Sequence, residues 1–158
     1  MDARLRNRSD AGYLLACMTL EIAYTAIAHA TGGGRDGHIV SEDGRLDLDT
    51  RPPKELGGSG EGTNPEQLFA AGYAACFLSA LHGSAKALGV DTTDAAVSAS
   101  VGIGPNGDGG YGLAVELDVY MPNVPVDRRG EASDAAHAVC PYSNATRGNV
   151  EVTITIVD

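Results

Sequence analysis

Hydrophobic and polar positions divide this chain into short strands, two helices and glycine-rich connections. Alternation of apolar and polar residues is typical of half-buried strands, and a long apolar stretch behind a capping residue is typical of a helix. Alternation, with many β-branched and aromatic residues, predicts strands at 19–30, 38–41, 45–50, 94–103, 111–121 and 149–157. With one helix after the third strand and one before the last, this order predicts an α+β fold. We expect its two main helices to pack on an antiparallel sheet.

Residues 65–88 carry the clearest helix signal in the chain. Asn64 is a good N-cap residue and Pro65 suits the first helical position. The segment is apolar nearly all round its circumference, so we expect a buried central helix. A second helix is predicted at 126–139 and should end at Cys140, because proline follows.

The chain of 158 residues fits one domain, which we place at 18–158 behind a disordered extension, residues 1–17. Cys17 ends a string like a lipoprotein cleavage site, but the apolar run before it is too short for an export signal. Met18 is an alternative start. No stretch reaches the roughly 18 apolar residues of a membrane helix. We therefore expect a cytoplasmic protein with no membrane partner.

Charge and motif spacing exclude several classes of function. The formal net charge of −10 argues against nucleic-acid binding, since the phosphate backbone repels an acidic surface. Gly102, Gly104 and Gly107 match a dinucleotide fingerprint as text, but a strand follows them where that motif requires a helix. The 4 histidines show no ligand spacing and Cys-x-x-Cys is absent from the sequence, so we expect no metal.

Cys76 and Cys140 are the candidates for chemistry. A cysteine on an apolar helix face is commonly a packing residue, and a reactive one needs a stabilised thiolate, because a free thiol has a pKa of about 8.5. Arg35, in a glycine loop, is a candidate cation, and Glu66 could hold its guanidinium through paired hydrogen bonds. Glu66 and Cys76 are about 15 Å apart along the helix axis, so a group such as Arg35 would have to bridge them. Spacing alone does not decide whether Cys76 is a packing residue or a reactive thiol.

Four segments resemble the organic hydroperoxide resistance (Ohr) family of the OsmC-like superfamily. Residues 64–77 resemble its first cysteine motif (NPEQLFAAGYAACF), and residues 140–149 its second (CPYSNATRGN). Residues 33–37 (GGRDG) match the segment that bears the family's essential arginine, and residues 56–58 match the loop before the helix. The resemblance covers about 18–158, and the second motif favours the Ohr branch over the OsmC branch.

The resemblance implies a role for each of four residues. Cys76 would be the peroxidatic thiolate, Cys140 the resolving thiol, Arg35 the cation beside the thiolate and Glu66 the residue that orients Arg35. The family fold is an intertwined OsmC-like homodimer with active sites at the subunit interface. Such an assembly would account for the apolar character of 65–88. Which subunit supplies Arg35 stays open.

The implied activity is that of a Cys-based thiol peroxidase that reduces organic hydroperoxides to alcohols and protects against oxidative stress. The route would be a Cys76 sulfenic acid followed by a Cys76–Cys140 disulfide. No bound cofactor is implied, and the reductant would be an external dithiol, dihydrolipoamide on a lipoylated protein. Apolar side chains of the helix would line the substrate pocket: Phe69, Phe77, Leu78 and Leu81.

Two alternatives remain on the sequence alone. The first is an OsmC-branch peroxidase with the same two-cysteine chemistry and a different substrate range. The second is a non-catalytic dimeric module that binds an apolar ligand, with both thiols packed and inert. The sequence does not identify the physiological hydroperoxide.

Overall fold

The computed structural model describes residues 20–158, which form two three-stranded sheets and three helices. The elements in chain order are β1 (Ala28–Gly32), β2 (Gly37–Ser41), β3 (Asp47–Thr50), α1 (Pro65–Leu88), β4 (Ala96–Pro105), β5 (Tyr111–Tyr120), α2 (Arg129–Val139), α3 (Pro141–Thr146) and β6 (Glu151–Val157). Single 3-10 turns occupy Lys54–Leu56 and Val126–Arg128. The extension predicted at 1–17, the alternative start at Met18 and the first residue of the predicted strand 19–30 lie outside the described residues.

The α+β class is confirmed, but the strands form two sheets, and one of them is mixed. Strands β1, β2 and β3 pair in order, all antiparallel. Strands β4 and β5 are an antiparallel pair joined by a glycine-rich turn, while β6 pairs with β5 in parallel. The prediction of an antiparallel sheet is therefore wrong for β6. Two helices lie between β5 and β6 in the chain, and a crossover of that kind returns the chain in its starting direction.

The core lies between one face of α1, the inner face of the second sheet and α2. Tyr73, Phe77 and Leu81, spaced one helical turn apart, are completely buried. They pack with alternate residues of β5 and with two alanines of α2: Val115, Leu117, Val119, Ala132 and Ala136. This packing fixes the position of α1, which carries Cys76, relative to α2, which ends at Cys140.

Helix α1 begins and ends where its capping residues predict. The side chain of Asn64 accepts a hydrogen bond from the Gln67 N–H at 2.9 Å, and Gly89 ends the helix with φ of 65°. By length and composition α1 is apolar enough to span a membrane, so the expectation that no stretch approaches that limit is wrong. Only 28% of its most apolar window is buried. The other apolar residues of α1 are partly buried or, as at Ala71 and Ala75, exposed in a single chain.

The strand predicted at 19–30 is shorter than expected. In the described part of the chain, residues 20–27 form no strand, and β1 begins at Ala28. Their alternating apolar side chains are exposed, with Leu20 and Tyr24 each 80% accessible. Alternation predicts the extended conformation but cannot supply a neighbouring strand. A single chain does not provide one here.

Candidate active site

The two candidate thiols lie next to each other although they are far apart in sequence. Cys76 is in the middle of α1 and is partly buried, whereas Cys140 lies between α2 and α3 and is completely buried. Both are free thiols, and their Sγ atoms are 3.5 Å apart. A disulfide bond is about 2.05 Å long, so the sulfurs need to approach by only about 1.5 Å to form one.

Cys140 is held by the junction of two helices. Its N–H donates to the Ala136 carbonyl at 2.9 Å, which closes α2, and its carbonyl accepts from the Asn144 N–H at 2.9 Å, which opens α3. Pro141 occupies the first position of α3, where its missing N–H is not needed. The chain therefore turns sharply at Cys140, and its sulfur points at α1.

A buried set of hydroxyl groups anchors α3 to α1 and α2. The Tyr73 hydroxyl is 3.0 Å from the Ser143 hydroxyl and 3.2 Å from that of Thr146. His137 Nδ1 is 3.0 Å from the same Ser143 oxygen. Burial, the largest cause, lowers the pKa of His137, and the charge of Arg147 lowers it further. The sequence analysis did not find this cluster, because its members are ordinary polar residues spread over three helices.

Arg35 and Glu66 form a bidentate ion pair, as the sequence suggested. The guanidinium donates to the carboxylate through Nη1–Oε2 at 3.0 Å and Nη2–Oε1 at 2.6 Å. The hydrogen bonds from Arg35 lower the pKa of Glu66, against the effect of burial, and the same contacts raise the pKa of Arg35. The pair brings the loop between β1 and β2 to the N-terminal end of α1.

The loop that carries Arg35 has a fixed shape. Gly34 has φ of 72°, a conformation that favours glycine, and a side chain at Gly37 would collide with the Thr31 carbonyl. The buried Thr50 hydroxyl donates to the Gly34 carbonyl at 2.7 Å and accepts from the Gly37 N–H at 3.1 Å. These contacts present Arg35 to Glu66 from a rigid base.

The Cys76 thiol does not have the electrostatic surroundings that the sequence predicts. Burial, the largest cause, raises its pKa above the ordinary thiol value, and the neighbouring Cys140 raises it further. A hydrogen bond from the backbone N–H of Tyr142 lowers this pKa. Arg35 is not among the groups that act on it within the described chain, because it is held by Glu66, about 15 Å from Cys76 along the helix axis. Arg35 beside the thiolate stays a prediction.

Two adjoining cavities open beside the ion pair. One, of about 330 Å³, is lined by Arg35, Glu66, Phe69 and residues of the second sheet, including Ile103, Tyr111 and Leu113. The other, of about 350 Å³, shares Arg35, Ile103 and Tyr111 with it. Their walls are mostly apolar, and Arg35 is the cation in both.

Of the four residues predicted to line a substrate pocket, the structure places Phe69 at such a cavity. Phe77 and Leu81 are completely buried in the core, and Leu78 packs partly buried against that core. The expectation is wrong for Phe77 and Leu81, because they lie on the α1 face that meets β5. Periodicity shows that a helix has an apolar face but not which neighbour that face meets.

Tyr142 connects the cavity with the thiol and was missed by the sequence analysis as a site residue. Its ring lies 5.7 Å from that of Phe69 and 5.6 Å from that of Tyr73, between centroids. Its backbone N–H also lowers the pKa of the Cys76 thiol. Phe69 and Cys76 are seven residues apart and therefore lie on the same side of α1. The signal was its position two residues after Cys140.

Comparison with known proteins places the chain in a family. Residues 58–155 match the OsmC-like protein family. The chain is 49% identical over 138 residues to the organic hydroperoxide resistance protein of Xanthomonas axonopodis pv. citri, covering 86% of this chain and 96% of the relative.

Solved structures agree with this placement. A crystal structure of an organic hydroperoxide resistance protein from Legionella pneumophila superposes with a TM-score of 0.83 at 43% identity, covering 87% of this chain and 100% of that one. A second crystal structure, from Vibrio cholerae, has a molecule of captopril bound in one of its active sites. It superposes with a TM-score of 0.82 at 44% identity, covering 87% of this chain and 94% of that one. The resemblance drawn from the two cysteine motifs is confirmed: this chain belongs to the organic hydroperoxide resistance family within the OsmC-like proteins.

Proposed function

We propose that this chain is a thiol peroxidase that reduces organic hydroperoxides, with Cys76 as the attacking thiolate and Cys140 as the resolving thiol. The observation that carries the proposal is the 3.5 Å contact between two free thiols that differ in accessibility. A partly exposed sulfur can meet a peroxide, and a buried one beside it can form a disulfide without large rearrangement. Relatives of this chain carry organic hydroperoxide resistance in their names.

The proposed cycle balances without a bound cofactor. The Cys76 thiolate attacks the terminal peroxide oxygen, the O–O bond breaks, and the alkoxide leaves and takes up a proton to become the alcohol. Cys140 attacks the resulting sulfenic sulfur, releasing water and forming the Cys76–Cys140 disulfide. An external dithiol, which we expect to be dihydrolipoamide on a lipoylated protein, reduces the disulfide and becomes oxidised.

A thiolate at Cys76 needs more stabilisation than one chain provides. Burial raises the pKa of this thiol, so at neutral pH the single chain would hold it mainly protonated. A guanidinium next to the sulfur would reverse that shift and would also stabilise the departing alkoxide. We infer that assembly of two chains brings an Arg35 guanidinium, still paired with its Glu66, to the sulfur.

We propose that the active form is a homodimer in which each site lies at the subunit interface. Leu20, Ile22 and Tyr24 are exposed at alternate positions and have no strand to cover them in the described chain. In α1, only 28% of the most apolar window is buried within one chain, which also leaves surface for a partner. A second copy of the chain could cover both surfaces, since obligate interfaces are more apolar than the rest of a protein surface.

We place this protein in the cytoplasm.

The cavities beside Arg35 favour a substrate with an organic substituent. A cavity of about 330 Å³ admits an alkyl or aryl group, and its apolar walls gain about 0.8 kcal/mol for each buried CH₂. Once assembly brings such a cavity to the Cys76 sulfur, four buried carbons would favour an organic hydroperoxide over hydrogen peroxide by a factor on the order of 10². We expect kcat/KM values for tert-butyl hydroperoxide and hydrogen peroxide to differ on that scale.

Thiol titration tests the proposal. In a Cys17→Ser background, which leaves two cysteines per chain, one equivalent of tert-butyl hydroperoxide should remove both free thiols without cross-linking chains. Cys76→Ser should consume no peroxide. Cys140→Ser should consume one equivalent and stop at a sulfenic acid or at intermolecular disulfides. Two unreacted thiols after peroxide treatment would instead support an apolar-ligand-binding module with inert cysteines.

A further inference from the structure

The ring of Tyr142 lies directly on the backbone of α1 at Gly72. A Cβ atom at Gly72 would be 2.9 Å from the Tyr142 hydroxyl oxygen, 3.2 Å from Cε2 and 3.3 Å from Cζ. Ordinary contacts between such atoms are about 3.5–4.0 Å, so an alanine would have to move the ring by about 0.5 Å or more. Glycine inside a helix costs about 1 kcal/mol relative to alanine. The close approach of the Tyr142 ring explains why a glycine stands at position 72 despite that cost.

The ring of Tyr142 packs against two aromatic rings, although the residue is 37% exposed. Phe69 and Tyr73 flank it, with centroids 5.7 and 5.6 Å away. The Tyr142 carbonyl accepts a hydrogen bond from the Thr146 hydroxyl at 2.9 Å, and Thr146 itself is buried. A displacement of the ring is therefore shared between rotation of the partly exposed side chain and movement of the first turn of α3.

The contact joins the helix segment that carries Cys76 to the turn that carries Cys140. Gly72 precedes Cys76 by one helical turn, and Tyr142 follows Cys140 by two residues. The ring on Gly72 is therefore one of the contacts that hold the Cys140 turn against α1, beside the core packing of α1 on α2.

We propose that Gly72 and Tyr142 are positioning residues for disulfide closure, with the ring resting on the glycine to hold Cys140 within 3.5 Å of Cys76. This inference rests on the proposed peroxidase cycle and concerns one step of it. Neither residue reacts with peroxide. Moving the ring outward should slow the attack of Cys140 on the sulfenic acid and leave the attack of Cys76 on peroxide nearly unchanged.

Gly72→Ala tests this step. A misplacement of about 1 Å can cost about 10²-fold in rate, so a shift of about 0.5 Å should slow closure by roughly tenfold. Single-turnover experiments should measure alcohol release and disulfide formation separately, with a sulfenic-acid trap such as dimedone added in parallel. We expect alcohol release within about twofold of wild type, slower disulfide formation and more trapped sulfenic acid.

Gly83→Ala is the matched control, because it lies on the same helix and a Cβ there meets no atom within 4 Å. It should close the disulfide at the wild-type rate. Adding Tyr142→Phe to Gly72→Ala removes the nearest clashing atom and should restore part of the closure rate. Tyr142→Ala, which removes the ring and keeps the backbone N–H, should slow closure with Gly72 intact, and this arm remains if Gly72→Ala does not fold.

The outcomes separate this inference from the proposed function. If the wild type forms no intramolecular disulfide, the proposed function fails. If the wild type closes normally and both Gly72→Ala and Tyr142→Ala close at the same rate, the positioning role is overturned. A loss of alcohol release equal to the loss of disulfide formation would also overturn it, because the defect would then not be confined to closure.

Discussion

The grip of Glu66 on Arg35 can be weakened without changing the shape of the site. Glu66→Gln keeps the side-chain size but turns one carboxylate oxygen into an amide N–H₂ that faces the guanidinium donor to donor. One of the two hydrogen bonds, at 2.6 and 3.0 Å, is then lost, and the other loses its charge. A hydrogen bond to a charged group contributes about 1.5–3 kcal/mol. The Arg35 side chain is 42% exposed, so solvent screening places the contribution of this ion pair near the lower end of that energy range.

A loss of about 1.5 kcal/mol changes the ratio of docked to undocked Arg35 loop by about tenfold. If Arg35 acts on the reacting sulfur only when this loop is ordered, kcat/KM for tert-butyl hydroperoxide should fall by up to about tenfold. The assay is stopped-flow peroxide consumption by the reduced protein, with the thiolate absorbance of Cys76 followed against pH in parallel. The thiolate titration of Glu66→Gln should shift to higher pH.

Glu61→Gln is the control, since it makes the same chemical change on an exposed loop before α1. Arg35→Ala sets the scale of a complete loss. Wild-type activity in Glu66→Gln, together with a large defect in Arg35→Ala, would refute the reasoning. Arg35 would then act without being oriented by Glu66.

Further predictions concern stability and pH. Tyr73→Phe removes a hydroxyl in contact with two buried hydroxyls, so we expect a loss of about 1–2 kcal/mol and a fall of about 2–8 °C in the thermal midpoint; an unchanged midpoint would contradict this. Asn64→Ala should cost about 1 kcal/mol in urea unfolding, whereas Asn64→Ser, which keeps a capping oxygen, should cost much less. The pKa of Glu66 is lowered in the folded chain, so its pairing with Arg35 stabilises the fold fully above about pH 4.3 and is lost as pH falls through the lower folded value. The midpoint difference between wild type and Glu66→Gln should therefore shrink on acidification, and a constant difference would be inconsistent with the pair.

Local signals predicted the elements best. Helix α1 matches the predicted 65–88 because an N-cap, a first-position proline and a C-terminal glycine mark its ends. Strict alternation located β5 and β6 to within two residues. Helix α3 was missed because six residues are too few to show a period. The parallel pairing of β6 depends on the path of the chain across the sheet, which no local pattern encodes.

The site was predictable in its residue types and less so in its geometry. Unpaired charge is costly near a buried helix, so an arginine in a glycine loop and a glutamate in the first turn of α1 were a reasonable pair. The closeness of Cys76 and Cys140 came from the family resemblance, since spacing alone left it open. The raised pKa of Cys76 in one chain was not predicted, because it depends on burial and on the absence of Arg35 from the groups that act on the thiol. The contact of the Tyr142 ring with Gly72 depends on distances that only coordinates provide.

In the proposed cycle, the unequal burial of the two sulfurs also sets which sulfur the reductant attacks. An incoming dithiol can approach only a sulfur that solvent can reach, and Cys140 is completely buried. The covalent adduct with the reductant should therefore form on Cys76, and Cys140 should be expelled as the leaving group. The Cys140 thiol would then already lie beside Cys76 for the next catalytic cycle. It would not have to leave the protein interior.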